Sequence, residues 1–440
     1  MEPKKQKLST ANYKGTRDFY PEDMDFRNWM FSVMRQVVES YGYRQYDAPL
    51  LESFELYAAK TGEEIVERQL YDFIDKGDRH VAIRPEMTPS LARMVAARCK
   101  ELPRPIRWFS LPNLWRYEAP GHGRLREHWQ LNVDVFGENS FRAELEIIQL
   151  ACDILFAFGA PKGSFRVKIS HRRILSDFFE KELGLQEEKS QPLAKLLDKK
   201  NKLKAEEFDA ELLKILDKPE EQKAKIERYL LADTKTINEF KGISAETLKE
   251  LQELFSTLDA LGLSEIVDFD PSIIRGFDYY TGFIFEIFDT DPKNRRSLYG
   301  GGRYDNLIGL FSKEELSGIG FGLGDVTLEN FLRSHKLVPD LNRFKTVFIP
   351  LLDEKTFLDT IKLASSLRKA GIQTETMLNP GIKLGKQFGI AEKKGYKYIL
   401  ILGEDEIRQG KVQCKDLEKG EQNEYSMSEI VSVLQDKLKL

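Results

Sequence analysis

Between residues 131 and 135 apolar and polar side chains alternate. Leu131, Val133 and Val135 interleave with Asn132 and Asp134, the period of a strand with one buried face. Just before it, Pro120, Gly121 and Gly123 break any regular element, so residues 116–136 are expected to form two strands joined by a loop that carries Arg124 and Arg126. Residues 138–159 follow a helical period, with Ala143, Leu145, Ile147, Ile148, Leu150, Ala151, Ile154 and Leu155 forming a broad core stripe. Phe283 to Phe288 reads as a strand. Gly318 to Gly324 alternates glycine with Ile319, Phe321 and Leu323, which predicts a strand with one bare face that a ligand or another backbone can approach closely.

The amino-terminal third reads in shorter pieces. Asp23 is placed to cap a helix that runs to about Tyr41 and stops at Gly42. Tyr43 to Leu51 is extended, with Pro49 suited to an edge strand or an interface. A polar helix follows, then hairpin strands around Asp75 to Asp78. Arg84-Pro85-Glu86-Met87-Thr88-Pro89 opens a helix through Ala97, with Thr88 as N-cap and Pro89 in the first helical position. That accounts for Thr88 and Pro89. Glu86 is left with two roles, receiving an amine or favouring the helix dipole.

From about Arg172 to Gly262 the pattern becomes one of lysine- and glutamate-rich amphipathic helices, with Ser244 starting one and Gly262 ending it. The lysines near Asn201 suit a solvated helix face or RNA phosphates. After Pro339, strand and helix alternate as βαβαβ through Leu402, with Gly371 and Gly395 as helix stops. Its first strand is not followed by a phosphate-binding glycine pattern.

Composition narrows the class. The chain has 440 residues, enough for two or three domains, with 41% hydrophobic and 31% charged residues, as in soluble globular proteins. No apolar run is long enough to cross a bilayer. Three widely spaced cysteines, Cys99, Cys152 and Cys414, suggest neither a disulfide framework nor a zinc site, and a reducing cytoplasm is the expected compartment. The amino terminus, without an apolar segment behind it, does not resemble a secretory signal. A net charge of −4 argues against binding nucleic acid by bulk electrostatics. Residues 341–440 nonetheless carry 17 Lys and Arg against 14 Asp and Glu, a tilt that permits phosphate contacts without predicting them.

The candidate chemistry gathers in three places. Arg116, Arg124 and Arg126 around one loop suit either a polyphosphate clamp, because guanidinium forks match phosphate oxygens, or a solvated hairpin. Arg275-Gly276-Phe277-Asp278-Tyr279-Tyr280 packs an arginine, an aspartate and two tyrosines into six residues, costly to bury unless they partner one another or a ligand. Gly300-Gly301-Gly302-Arg303-Tyr304-Asp305 reads as a glycine turn beside an arginine.

Taken together, these stretches resemble the histidyl-tRNA synthetases, a class II aminoacyl-tRNA synthetase family, over nearly the whole chain. Tyr43 to Glu52 resembles motif 1, and Trp115 to Phe136 resembles motif 2. Arg84 to Thr88, Arg275 to Tyr280 and Gly301 to Asp305 resemble segments peculiar to the histidine branch. The resemblance implies an α+β fold: a class II antiparallel sheet flanked by helices (residues 1–171 and 263–335), a helical insertion (172–262) and a C-terminal α/β anticodon-binding domain (341–440). It also implies a homodimer through the motif 1 region, with ATP, Mg2+, L-histidine and tRNA(His) as ligands and no membrane partner. The ligase would activate histidine as histidyl-adenylate and transfer it to the tRNA.

Residue by residue, the resemblance makes Arg116 and Arg275 catalytic. Arg116 would hold the α-phosphate, and Arg275 would lie between the histidine carboxylate and that phosphate. Glu86, Thr88, Gln130, Asp134, Tyr279 and Tyr280 would surround histidine, with Arg275 at its carboxylate. Glu118, Arg124 and Arg303 would join Arg116 at ATP, and no protein cluster is expected to hold the metal. One position departs from the family. Motif 3 usually carries an arginine soon after its glycine-rich strand, and Val326 stands at the corresponding place. Arg303 or Arg124 would then compensate. The alternative function is a regulatory subunit of the synthetase fold, paired with the first enzyme of histidine biosynthesis and without catalysis.

Overall fold

The structure is a computed structural model that describes residues 8–59, 63–200, 203–274, 280–294, 296–341 and 346–439. Two compact units divide the chain at Val338 and Pro339.

In the first unit, the helix Pro21–Ser40 begins two residues before Asp23. Asp23 therefore caps from inside the first turn, its carboxylate accepting the Tyr20 N–H at 3.1 Å. The expected extended stretch is two short strands, β1 (Arg44–Gln45) and β2 (Leu51–Ser53). The hairpin follows as β3 (Tyr71–Ile74) and β4 (His80–Ile83). Thr88 is the first residue of the helix Thr88–Arg98, and Met87, buried in the core, takes the N-cap position expected for Thr88. Then come β5 (Ile106–Ser110), β6 (Asn113–Trp115) and β7 (Glu127–Phe136); β7 is the second expected strand, while the first ends at Trp115, just before Arg116. The helix Arg142–Ala157 separates them from β8 (Phe165–His171).

Among the described residues, the segment from Arg172 to Ala260 contains helices and no strand, as its pattern predicts. After it come β9 (Val267–Phe269), β10 (Phe283–Asp289), β11 (Ser297–Tyr304) and β12 (Gly318–Gly324). The expected turn at Gly300 to Gly302 is part of β11, because its glycines lie where neighbouring backbone leaves no room for a side chain. A β-carbon on Gly301 would stand 1.9 Å from the Gly320 carbonyl oxygen.

The main sheet has the order β1-β5-β7-β12-β11-β10-β8-β9, antiparallel from β5 through β8. Strand pairing assigns every side chain to a face. Val133 lies opposite Phe321 and Phe109, and Phe321 opposite Gly301, itself opposite Phe285. This face is buried beneath the helix Arg142–Ala157, to which Tyr299 donates a hydrogen bond at the Ala151 carbonyl, 2.6 Å away.

The second unit is a five-stranded sheet with its own core. Its strands are β13 (Thr346–Ile349), β14 (Gln373–Thr376), β15 (Tyr398–Ile401), β16 (Lys411–Asp416) and β17 (Gln422–Ser426), in the order β14-β13-β15-β16-β17. The first three are parallel and joined by helices, the expected βαβαβ unit. The antiparallel β16 and β17 extend it.

Candidate active site

The other face of the main sheet is floored by glycine. Gly318, Gly320, Gly322 and Gly324 of β12 lie opposite Phe136, Asp134, Asn132 and Gln130 of β7, while Gly302 and Gly300 of β11 lie opposite Gly320 and Gly322. Long side chains lean over this lane. A β-carbon on Gly320 would stand 2.1 Å from Asp134 Oδ1, one on Gly322 2.7 Å from Gln130 Nε2, and one on Gly302 2.9 Å from the Tyr280 ring. Glu286 of β10 stands opposite Gly300 on the same face. The lane therefore brings together Gln130, Asp134 and Tyr280, three of the residues expected around histidine.

Its chemistry is acidic and poor in water. Burial pushes the Asp134 carboxyl up to about 7 against the pull of the Tyr304 hydroxyl, which donates to its Oδ1. Burial also raises the Tyr280 phenol, and the nearby charges of Glu86, Glu286 and Asp134 raise it further. Three carboxylates around one partly buried tyrosine suit a ligand that brings positive charge and hydrogen-bond donors. Tyr304 and Glu286 are the members not foreseen. The period-two pattern would have found them, because Tyr304 sits two residues from Gly302 and Glu286 two from Ile284, which pairs with Gly302.

Glu86 is placed by its neighbours in sequence. Arg84 is buried and donates to the Ala48 carbonyl at 2.6 Å, Asp47 at 3.0 Å and the Asn113 carbonyl at 3.0 Å. The Arg84 carbonyl accepts from Trp115 N–H, and the Pro85 carbonyl accepts from Arg116 Nε at 2.9 Å. One stiff segment thus carries Glu86 and also orients Arg116. Thr88 lies just beyond, at the start of its helix.

Beside the lane opens a cavity of about 180 Å3. Arg116, Glu118, Arg124, His128, Gln130 and Val326 are among its walls, together with Gly322 and Gly324 of the glycine floor. Gln130 and Gly322 belong to both lane and cavity, which makes the two one continuous site. Arg124 is half exposed at the end of a tight turn, where Gly123 takes a left-handed φ of +72°, and its Nε pairs with Glu118 Oε2 at 2.7 Å. Arg126 is employed differently. It is buried, donating to the Glu118 carbonyl and to the Tyr13 hydroxyl and lying 4.0 Å from the Tyr117 ring centre. Burial pulls His128 down to about 3, with repulsion from Arg116 and Arg17 adding to it, so the cavity presents a neutral imidazole.

Arg303, expected beside ATP, is instead on the packed face. It lies opposite Ile319, and its guanidinium grips Glu144 of the helix Arg142–Ala157 with two nitrogens and donates to the Glu138 carbonyl at 3.1 Å. Its donors are spent on the core, and the alternation of β11 points it away from the cavity. It therefore does not compensate for the arginine absent at Val326. Arg275 and Tyr279 lie outside the described residues.

Known proteins resemble this chain over nearly its whole length. The family model described as histidyl-tRNA synthetase matches residues 15–326, and one described as an anticodon binding domain matches residues 345–437. A histidine–tRNA ligase of Leptospira biflexa is 59% identical over 435 residues, covering 99% of both chains. One of Pyrococcus furiosus is 36% identical over 442 residues, covering 97% of this chain and 99% of that one. The crystal structure of histidyl-tRNA synthetase from Nostoc sp. PCC 7120 superposes with a TM-score of 0.82 at 23% identity, covering 98% of this chain and 100% of that one, a likeness of fold.

Proposed function

The chain belongs to the histidyl-tRNA synthetase family, and on that premise we propose that its glycine-floored lane binds histidine and the adjoining cavity binds ATP. The enzyme is a ligase that activates L-histidine with ATP and charges tRNA with it. The observation that carries the assignment of the site is its continuity. Acidic groups over the lane meet the arginine-lined cavity at Gln130.

In this reading Glu86, Thr88 and Gln130 receive the ammonium of histidine, and Asp134, held by Tyr304, faces the imidazole beside Tyr279 and Tyr280. A histidine carboxylate oxygen attacks the α-phosphorus, the bond to the bridging oxygen breaks, and pyrophosphate leaves with the electron pair. Arg116, aimed by the Pro85 carbonyl, holds the α-phosphate, while Glu118 and Arg124 seat the rest of ATP. Arg275 neutralises charge that grows on the phosphate in the transition state, where a fixed cation is worth most. Mg2+ bound with ATP would offset the phosphate charge, and Glu118, a carboxylate of the cavity wall, would be a hard oxygen donor able to hold it. The histidyl group then passes to the 3′-terminal ribose of tRNA(His) as AMP leaves.

The domain assignment follows the same reading: residues 1–171 and 263–335 form the catalytic core, 172–262 an insertion, and 341–440 the anticodon-binding domain. The enzyme works in the cytoplasm as a homodimer through the motif 1 region. Among the described residues no helix is long and apolar enough to cross a membrane.

Two substitutions test the roles. Arg275→Ala should lower adenylate formation by about a thousandfold while histidine still binds, and turnover within a few-fold of the parent would remove the electrostatic role. Glu86→Gln should chiefly raise KM for histidine, and an unchanged KM would take Glu86 out of the pocket.

A further inference from the structure

We propose that Arg17 is a positioning residue of the nucleotide cavity, acting through Asp325 on the strand that carries His128 and Gln130; this rests on reading the cavity as the ATP site. Along β7, His128 and Gln130 face the cavity and Trp129 faces away. The amino-terminal segment grips that far side. The Gly15 carbonyl accepts from Arg126 N–H at 2.8 Å and Glu127 N–H at 3.3 Å, Phe19 meets the Trp129 ring edge-on at 5.2 Å, and the Arg27 guanidinium lies 4.4 Å from that ring.

Asp325 links this grip to the opposite wall. It opens the helix Asp325–Ser334, whose Val326 and Thr327 line the cavity, and its Oδ1 accepts Trp129 N–H at 3.0 Å. Its Oδ2 pairs with Arg17 Nη2 at 2.5 Å, and Arg17 Nη1 reaches Glu329 on the same helix at 3.6 Å. Asp325 is only 3% exposed, so its charge can hold both walls only while a cation faces it. Residues 325–327 offer the nucleotide no cation of their own. In this chain the cation works from behind the wall. Without Arg17, Asp325 takes a proton or draws in water, the Trp129 contact loosens, and His128, Gln130 and Val326 lose their mutual spacing. Gln130 is shared with the histidine lane, but Glu86, Asp134 and Tyr280 stand on other contacts, so KM for histidine moves much less than KM for ATP.

The test uses the full chain with Arg17→Ala, Arg17→Lys and Asp325→Asn, measuring histidine-dependent ATP–pyrophosphate exchange with each substrate varied in turn. Arg17→Ala should raise KM for ATP about tenfold with KM for histidine within about twofold, and Arg17→Lys should recover most of the loss. Asp325→Asn, which keeps an oxygen for Trp129 N–H but loses the charge, should fall between. An unchanged KM for ATP, or parallel rises in both KM values, overturns the proposal. If Arg17→Ala does not fold, Arg17→Lys and Asp325→Asn decide by the same criterion. Equilibrium dialysis of ATP keeps this test separate from the functional reading. A parent protein that binds ATP without exchange would refute the reading, and the variants' dissociation constants for ATP would still support or refute the role of Arg17.

Discussion

On the packed face of the main sheet, Val133, Phe321, Phe285 and Arg303 meet the helix Arg142–Ala157, and even the arginine there is consumed by Glu144 and a carbonyl. On the other face the same strands present glycines, with Asp134, Gln130, Tyr280 and Glu286 leaning over them. The contrast teaches what makes an arginine functional. Arg303 and Arg116 are alike in sequence, each beside a segment rich in glycine or aromatic residues. They differ in what remains of their hydrogen-bonding capacity. Arg303 has its donors filled from within the core, whereas Arg116 is fixed at Nε by the Pro85 carbonyl and lines the cavity.

The largest expected effect breaks this comparison at Arg116. Arg116→Ala should cost about a hundredfold or more in kcat/KM for exchange, as loss of a preorganised transition-state donor does, with the melting temperature nearly unchanged. Arg303→Met should do the reverse. Leaving Glu144 buried without its partner should cost about 3 kcal/mol or more of stability, read by denaturant unfolding, while the folded fraction keeps its KM for ATP. If Arg303→Met raised KM for ATP while sparing stability, the assignment of the two faces would be wrong.

A smaller effect sharpens the comparison through pH. Asp134 binds its proton up to about 7 in the folded protein against 3.8 in the unfolded chain, so the folded state holds the extra proton between those values. Its contribution to stability therefore falls as pH rises from about 4 to 7. His128 and His171, both held near 3 by burial against 6.5 when free, act oppositely, losing stability as pH falls below 6.5. Asp134→Asn removes only the carboxyl's contribution. Thermal melting should show the parent losing ground relative to Asp134→Asn between pH 5 and pH 7, and a difference independent of pH would contradict a buried, protonated Asp134.

Much of this arrangement was legible in the sequence. The alternation in β7 and β12 announced a polar face meeting a bare one, and the resemblance put Glu86, Gln130 and Asp134 near one ligand. The structure adds the lane that assembles Gln130, Asp134 and Tyr280, and the segment that ties Glu86 to Arg116. Arg303 was misplaced because Gly300 to Gly302 reads locally as a turn. Within a strand its parity with Phe283 and Ile319 sends it to the core, and Tyr304 becomes the residue that meets the site. Thr88 was read as a cap because threonine before proline favours that role, yet burial of Met87 set the helix start one residue earlier. The grip of residues 15–19 on Trp129 had no local signal, since it joins segments more than a hundred residues apart and leaves no periodic trace.

The central claim is that the bare face activates histidine. The most direct test is ATP–pyrophosphate exchange by the purified protein with each amino acid offered separately. Exchange with histidine alone is the predicted result, and it would show that the cavity works without an arginine at Val326. No exchange from folded protein that still binds histidine would contradict the account and point to a regulatory role for the same fold.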